Sequence, residues 1–265
     1  MKCRVVVCCL VAGSVPAVPA MAANAPTTAT TAAATPVDLE FSSGFDYSTG
    51  RYGLSSDTRV LDVPFGVKFQ DGNLRLEASI PYLDITGPGI SAGDVVVTGP
   101  NSKISERSGI GDLVATGGWT LFAENGPIPG VELAGTVKLP TAGSGLGTGK
   151  TDFTAQANLF HSLTPTTLLF GSLGYQWLGS PAGFTLLSGV RVTAGVNFKP
   201  QDNVAFGVLL DYREKYESAL SDYVSLDPYA VWRFLPDLGI SAYGIIGATN
   251  SAPGFGGGFR LIAYL

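Results

Sequence analysis

The sequence predicts an all-β protein, a transmembrane antiparallel up-and-down β-barrel of about 12 strands that follows a cleaved signal peptide. Three observations predict it: a period-two alternation of apolar and polar residues, sparse charge, and connections that are alternately short and long. Charged residues make up 14% of the chain and hydrophobic residues 45%. We expect the barrel to occupy residues 37–265, after a signal peptide at 1–22 and a linking segment at 23–36.

The amino-terminal segment has the pattern of an export signal. Lys2 and Arg4 precede an uncharged apolar run, and Ala20-Met21-Ala22 has the small-x-small form that signal peptidase requires. We therefore expect cleavage after Ala22. The alternative is a membrane anchor, but the apolar run is too short to span the hydrocarbon core. Residues 23–36, rich in Ala, Thr and Pro, are expected to form a flexible periplasmic segment.

The segment Val190–Lys199 illustrates the alternation. Its even positions are apolar and its odd positions are polar or glycine, which gives a strand one apolar and one polar face. Similar segments recur, each long enough for the roughly 9–11 tilted residues that cross a bilayer. The predicted strands are 37–48, 58–70, 73–84, 110–122, 130–140, 152–163, 166–178, 187–199, 203–213, 222–235, 237–248 and 255–265.

The connections alternate in length along the chain. Tight turns and one slightly longer turn are expected on the periplasmic side, at 71–72, 123–129, 164–165, 200–202 and 236. The longer links, expected on the extracellular side, are 49–57, 85–109, 141–151, 179–186, 214–221 and 249–254. Short turns on one side and long loops on the other are typical of an outer-membrane barrel. We expect the longest loop, 85–109, to fold inward as a constriction.

A secreted β-sandwich would also show alternation. Such a sandwich should face water with many Lys and Glu residues, whereas charge is sparse here. Aromatic residues also collect near the predicted strand ends, as they do in the interfacial girdles of membrane barrels, and the barrel is therefore favoured. These aromatic residues are Tyr47, Tyr82, Phe122, Tyr175, Trp177, Phe198, Tyr212, Trp232 and Phe234.

Polar side chains on the face opposite the apolar one are expected to line the lumen. An Arg or Lys on the lipid face would cost about 2–4 kcal/mol at the membrane midplane. The predicted solute contacts are Arg75, Glu77, Glu132, Lys138, Arg191, Asp211 and Arg213. The wider lumen set adds Glu40, Asp46, Asp62, Lys68, Asp112, Asp152, Gln156, Asn158, Asp227, Arg233 and Arg260. Two interpretations stay open: ion pairs that hold a narrow, partly filled barrel rigid, and a charged constriction that selects solutes.

Composition argues against several other functions. The formal net charge of −5 and the absence of a basic stripe argue against binding to nucleic acid. One His, and three Cys that all lie within the first nine residues, leave little for a zinc or disulfide framework. We expect no enzyme, no cofactor and no metal. His161 leaves one alternative open, an outer-membrane lipid hydrolase, which would need a nearby Ser and an orienting Asn or Asp.

Three stretches form a recognisable pattern: Ser108–Leu113 (SGIGDL), Val137–Thr141 (VKLPT) and Leu146–Asp152 (LGTGKTD). In this order and spacing the chain resembles the outer-membrane transporter-like family named for the meta-cleavage pathway of phenol degradation. The resemblance implies a barrel in the outer membrane of a Gram-negative bacterium and passive uptake of small hydrophobic or aromatic compounds. The alternative is a structural or envelope-assembly barrel with a plugged lumen. The expected partners are outer-membrane lipid, lipopolysaccharide, the barrel-assembly machinery and a small apolar or aromatic solute.

Overall fold

The computed structural model describes residues 37–92, 95–98 and 104–265. The predicted signal peptide, 1–22, and the segment 23–36 lie outside the described residues. Among the residues described, the regular elements are all strands, and none is a helix long and apolar enough to cross a membrane. The strands are β1 Asp38–Gly50, β2 Thr58–Asp71, β3 Leu74–Gly87, β4 Gly89–Ala92, β5 Val95–Thr98, β6 Ser105–Ile110, β7 Leu113–Phe122, β8 Gly130–Leu139, β9 Asp152–Thr164, β10 Thr167–Trp177, β11 Gly189–Gln201, β12 Val204–Arg213, β13 Tyr223–Leu235, β14 Leu238–Gly247 and β15 Phe255–Tyr264.

The sheet closes on itself as an antiparallel barrel. Strand β1 pairs with β2 on one side and with β15 on the other, so closure leaves the wall without an open edge. Strands β6 and β7 both pair with β3 and act as one interrupted wall strand, which gives a wall of twelve strands. The predicted up-and-down barrel is confirmed. Tight turns join the strands at one end of the barrel, and longer loops join them at the other, the long-loop end.

The region predicted as one long loop, 85–109, contains more regular structure than expected. Strand β3 continues to Gly87, and β6 begins at Ser105 and pairs with the last part of β3. Between them, β4 and β5 pair antiparallel as a separate two-stranded sheet. The run Val95–Val97 is β-branched and favours such pairing. The sequence of β6, SERSGI, is polar and lacks the alternation that predicts a strand, because β6 extends the wall beyond the apolar belt.

Alternate side chains point to the lumen and to the exterior, as the period-two pattern predicts. On β11, Val192 and Phe198 are exposed on the outer face, whereas Thr193 and Asn197 are buried on the inner face. The outer face forms a broad apolar belt, and large exposed apolar surfaces mark contact with a membrane or another protein. Its large exposed side chains include Phe41, Phe65, Leu76, Trp119, Leu133, Phe153, Leu159, Leu173, Leu210, Leu226, Ile246 and Phe259.

Aromatic side chains also lie on the outer face near the strand ends. The rings of Tyr175 and Trp177 have centroids 4.9 Å apart, and those of Trp232 and Phe234 are 5.6 Å apart. All four side chains are exposed. Their amphipathic or polarizable rings suit the boundary between hydrocarbon and water.

Candidate functional site in the barrel lumen

Three of the predicted lumen residues form one ion-pair network on the inner wall. Arg75 donates hydrogen bonds to both carboxylate oxygens of Glu132, at 3.0 and 2.6 Å, and to Glu77 at 2.5 Å. Asn158 donates a further hydrogen bond to Glu132, at 2.7 Å. The intervening strand has Gly118 at this level, where a Cβ would lie 2.9 Å from the Glu132 carboxyl carbon. The glycine therefore lets Arg75 reach across a strand to its partner.

Lys138 lies at the centre of a second network, near the long-loop end. Its Nζ lies 2.9 Å from Asp112 Oδ2 and 3.0 Å from Asp152 Oδ2. It also donates hydrogen bonds to Thr148 Oγ1, at 3.1 Å, and to the carbonyl oxygen of Lys150, at 3.0 Å. We call these five residues the Lys138 junction. Because the ammonium group faces two carboxylates and two neutral oxygens, its charge is fully compensated inside the barrel.

The Lys138 junction joins the three stretches of the sequence pattern, Ser108–Leu113, Val137–Thr141 and Leu146–Asp152. Thr141 Oγ1 completes the joint, because it accepts a hydrogen bond from Leu113 N at 2.8 Å and donates one to Gly111 O at 3.1 Å. The loop that follows then turns back, and Leu146 packs on Leu83 and Ile85 of the inner wall. The sequence pattern therefore corresponds to a joint that fixes the loop between β8 and β9 to the barrel.

The remaining predicted lumen residues lie on β11 and β12. Arg213 and Asp211 are fully buried and form an ion pair at 2.6 Å. The Arg213 guanidinium carbon is 4.6 Å from the centroid of the Tyr223 ring, a cation–π distance. Arg191 is directly opposite Arg213 in the strand register. Among the seven predicted solute contacts, Arg191 alone is partly exposed, and the other six are buried.

Sequence reasoning selected charged residues and missed an apolar group on the inner wall. Phe160, Phe170, Tyr229 and Tyr243 form a buried cluster that we call the aromatic stripe. The same cluster includes Leu209, Val231 and Ile245. The alternation of inward and outward positions along each strand does identify this group. Phe160 follows Asn158 by two residues, and two residues also separate Tyr229 from Asp227, so each ring shares the face of a residue already assigned to the lumen.

Each of three rings in the aromatic stripe lies against a glycine of the neighbouring strand. A Cβ at Gly130 would lie 1.9 Å from the Phe160 ring, and one at Gly195 would lie 2.4 Å from the Phe170 ring. A Cβ at Gly207 would lie 2.6 Å from the hydroxyl oxygen of Tyr229. Aromatic side chains often cover cross-strand glycines in this way. The rings therefore cover the backbone of the wall with an apolar surface.

A third group of buried charges lies on β1, β2 and β15. Asp46 and Asp62 are directly opposite each other in the register of β1 and β2. Arg260 forms an ion pair with Asp46, and Tyr243 donates a hydrogen bond to the same carboxylate. In the described part of the chain, neither carboxylate oxygen of Asp62 has a hydrogen-bond partner. Together with Leu83, in register with Asp62 on β3, these residues form what we call the Asp62 site.

Three loops meet across the long-loop end of the barrel. Ile90, from the connection after β3, packs on Leu178, Leu186 and Tyr216, which belong to the connections after β10 and β12. Strand β3 is third in the barrel wall, whereas β10 and β12 are seventh and ninth. The contact therefore bridges the mouth, whereas the inward-folding constriction expected of the whole loop 85–109 stays a prediction. Tyr52, in the connection after β1, is also buried and donates a hydrogen bond to Ser48 Oγ at 2.8 Å. Burial raises its pKa to about 12.

His161 lies on the outer side of β9, close to the tight-turn end. Its Nδ1 is 3.1 Å from Glu124 Oε1, and the Ser162 hydroxyl donates to Glu124 Oε2 at 2.9 Å. Glu124 thus contacts both residues, and the described residues contain no hydrogen bond from a serine hydroxyl to His161. A Ser–His nucleophile requires that contact. The described residues also contain no group of three or more His, Cys, Asp or Glu side chains that could hold a metal ion.

Comparison with known proteins finds similarity at the level of structure. No protein-family model matches the sequence, and no curated protein is a significant match to it. Among solved structures, the COG4313 outer membrane channel from Pseudomonas putida F1 is similar, with 12% identity and a TM-score of 0.64 over 86% of this chain and 94% of that one. The NanC porin has 10% identity and a TM-score of 0.53, over 86% of this chain and 99% of its own.

The KdgM porin, solved in complex with disordered oligogalacturonate, is also similar. It has 7% identity and a TM-score of 0.50, and the match covers 86% of this chain and 97% of that chain. At these identities the likeness concerns the path of the backbone and not the residues of the lumen. The chain has the fold of outer-membrane channels and porins.

Proposed function

We propose that the chain is an outer-membrane channel through which small hydrophobic or aromatic compounds cross passively. The observation that carries this proposal is the aromatic stripe on the inner wall of a closed barrel. Aromatic and aliphatic side chains bind apolar solutes by contact, and a few polar groups then set their orientation. The apolar outer belt supports a location in the outer membrane of a Gram-negative bacterium, with lipid around the wall and the long loops facing outward.

Two further observations support the proposal. The similar structures are a channel and two porins by name, and none of them is named as an enzyme. The three stretches of the Lys138 junction resemble the family named for the meta-cleavage pathway of phenol degradation. Membership of that family is part of the proposal, as are lipopolysaccharide, the barrel-assembly machinery and an aromatic solute as partners.

A second candidate function is a structural or envelope-assembly barrel with a plugged lumen. The observation that favours it is the burial of the inner ion pairs, because Arg75, Glu132, Lys138 and Arg213 all have little exposure to solvent. Buried, paired charges stiffen a narrow barrel whatever its function. This candidate differs from the first in one measurable property, since a plugged barrel passes no current.

The first experiment combines location and conductance. Outer-membrane fractionation, with gel mobility of unheated and boiled samples, should place the protein in the outer membrane as a heat-modifiable barrel. Purified protein in planar bilayers should conduct potassium chloride, and benzyl alcohol should block that current transiently. If the protein passes no ions and benzyl alcohol has no effect, the plugged barrel is the better description.

Matched variants on one strand test the role of the aromatic stripe. Phe160 faces inward and Phe153, on the same strand, is exposed on the outer face. Phe160→Ala should shorten the benzyl alcohol blocks at least fivefold, because the solute loses an apolar contact on the inner wall. Phe153→Ala should leave the blocks unchanged. Equal blocks in the two variants would contradict a role for the aromatic stripe.

A further inference from the structure

The Asp62 site has more negative charge than its protein neighbours compensate. Asp46 and Asp62 face each other directly across two paired strands, a position in which like charges repel. The single guanidinium of Arg260 is paired with Asp46. Asp62 is 3% exposed, yet both of its carboxylate oxygens are without a hydrogen-bond partner among the described residues. A buried carboxylate in that condition is costly unless a positive or hydrogen-bond-donating group reaches it.

The immediate surroundings suit a solute with an apolar body. Leu83 is in register with Asp62 on one side, and the Tyr243 ring, which also belongs to the aromatic stripe, lies near Asp46 on the other. On β1 and β2, the nearby inward-facing positions towards the tight-turn end include Gly44 and Gly66, and both are partly exposed. The next inward-facing residue on β2 is Pro64, which is fully buried, so the surroundings of the carboxylate are apolar. A ring that packs on Leu83 and Tyr243 would bring its polar group to Asp62.

The charge of the described barrel interior also favours a cation. Nine of the buried side chains are Asp or Glu, whereas five are Lys or Arg. An excess of one sign inside a low-dielectric wall attracts counter-charged solutes and repels solutes of the same sign. Arg260 compensates one of the two carboxylates, so an aromatic carboxylate entering the Asp62 site would meet a net negative charge, whereas an aromatic amine would neutralise it.

We propose that the Asp62 site binds the ammonium group of an aromatic amine and, more weakly, the hydroxyl group of an aromatic alcohol, and that it rejects aromatic carboxylates. This inference rests on the proposed function, because it names the solute class of the same lumen. Asp62 accepts hydrogen bonds from the ammonium or hydroxyl group. Leu83 and Tyr243 contact the ring, and Arg260 keeps Asp46 paired so that Asp62 remains available.

The test uses three probes that share one ring. Isothermal titration calorimetry of the purified barrel in detergent at pH 7 would compare benzylamine, benzyl alcohol and benzoate. Benzylamine should bind more tightly than benzyl alcohol, and benzoate should give no binding heat. Asp62→Asn should weaken benzylamine binding at least tenfold and benzyl alcohol binding less, because an amide oxygen still accepts a hydrogen bond. Asp46→Asn should give a smaller loss for benzylamine, since it removes one of the two charges.

The matched control is Asp71→Asn, the same substitution at the exposed end of the same strand, and it should leave all three affinities unchanged. Heat-modifiable mobility verifies that each variant is folded. The proposal is overturned if wild-type protein binds no benzylamine, if benzoate binds as well as benzylamine, or if Asp62→Asn has no effect. If the protein conducts but Asp62→Asn leaves benzylamine binding unchanged, the Asp62 site is rejected and the channel function is retained. If benzylamine binding depends on Asp62 but the barrel does not conduct, the channel function is rejected and the Asp62 site is retained.

Discussion

The Lys138 junction and the Asp62 site are both buried clusters of two carboxylates and one basic side chain, and they differ in how completely the groups are paired. At the junction, Lys138 faces both Asp112 and Asp152 within 3.0 Å. At the Asp62 site, Arg260 pairs with Asp46, while the oxygens of Asp62 have no hydrogen-bond partner in the described residues.

This difference separates a structural role from a binding role. A cluster in which both carboxylates contact the cation contributes by fixing a loop, and the loss of that cation leaves two buried charges uncompensated. An incompletely paired cluster lowers the stability of the empty protein, and such a cost is found where a site is arranged for a ligand. Substitutions in the two clusters should therefore change stability in opposite directions.

The largest effect should come from Lys138→Met, which removes the cation of the junction. Asp112 and Asp152 would then be buried without a counter-charge, and we expect the free energy of unfolding to fall by about 3–5 kcal/mol. Urea unfolding, followed by heat-modifiable mobility, measures it. Lys199→Met is the control, because the Lys199–Asp202 pair lies at the surface with Asp202 largely exposed. A fall at Lys199 as large as that at Lys138 would contradict the structural role of the junction.

A smaller effect should appear at high pH through Tyr52, a buried group that is paired but neutral. Burial raises its pKa to about 12, above the ordinary value near 10, so the folded protein holds this proton more tightly than the unfolded chain does. The resulting stability is present below pH 10 and is lost between pH 10 and 12, up to about 2–3 kcal/mol. Tyr52→Phe should flatten this part of the pH profile in urea unfolding. An unchanged profile in the variant would assign the loss to other groups.

Asp62→Asn should have an effect of opposite sign. Without the unpaired charge the empty barrel should gain about 1–2 kcal/mol of unfolding free energy, while benzylamine binding weakens. The same substitution in the junction, Asp152→Asn, should destabilise the protein, because Lys138 loses half of its counter-charge. If both variants were destabilised alike, the contrast between the two clusters would not hold.

The smallest effect should come from His161→Ala, outside both clusters. Its Glu124 contact is partly exposed, and we expect a change in unfolding free energy within about 0.5 kcal/mol. Conductance and solute block should also be unchanged. Lipid hydrolysis by the wild-type protein that disappears in this variant would restore the hydrolase alternative.

The fold could be predicted from the sequence because each strand of a barrel wall shows a local alternation of apolar and polar residues. The predicted strands 203–213 and 130–140 agree with β12 and β8 within one residue at each end. The alternation did not predict β6. Its residues extend the wall beyond the apolar belt, so this strand has no apolar face. Alternation encodes which face a residue occupies, and it is lost wherever both faces meet polar surroundings.

The partners within the lumen could not be predicted in the same way. Strand phase places Asp46, Asp62 and Lys138 on the inner face, but which of them meet depends on register and strand tilt. The aromatic stripe was missed because apolar side chains were assigned to lipid by type, although the phase of Phe160 placed it inside. The position of Phe160 in the inward–outward alternation of its strand therefore predicts the aromatic stripe better than its apolar side chain does.

The pairing of β1 with β15 has a consequence for how the molecule is made. Glu40 is in register with Tyr264, so the seam that completes the wall joins residues from opposite ends of the barrel sequence. Contacts this distant form late, because the loop entropy of nearly the whole chain opposes them. Until then β1 and β15 are open edge strands, whose unpaired backbone N–H and C=O groups can pair with another chain. Biogenesis must therefore keep two open edges apart from other chains until they meet, and substitutions along this seam should slow maturation before they alter the finished barrel.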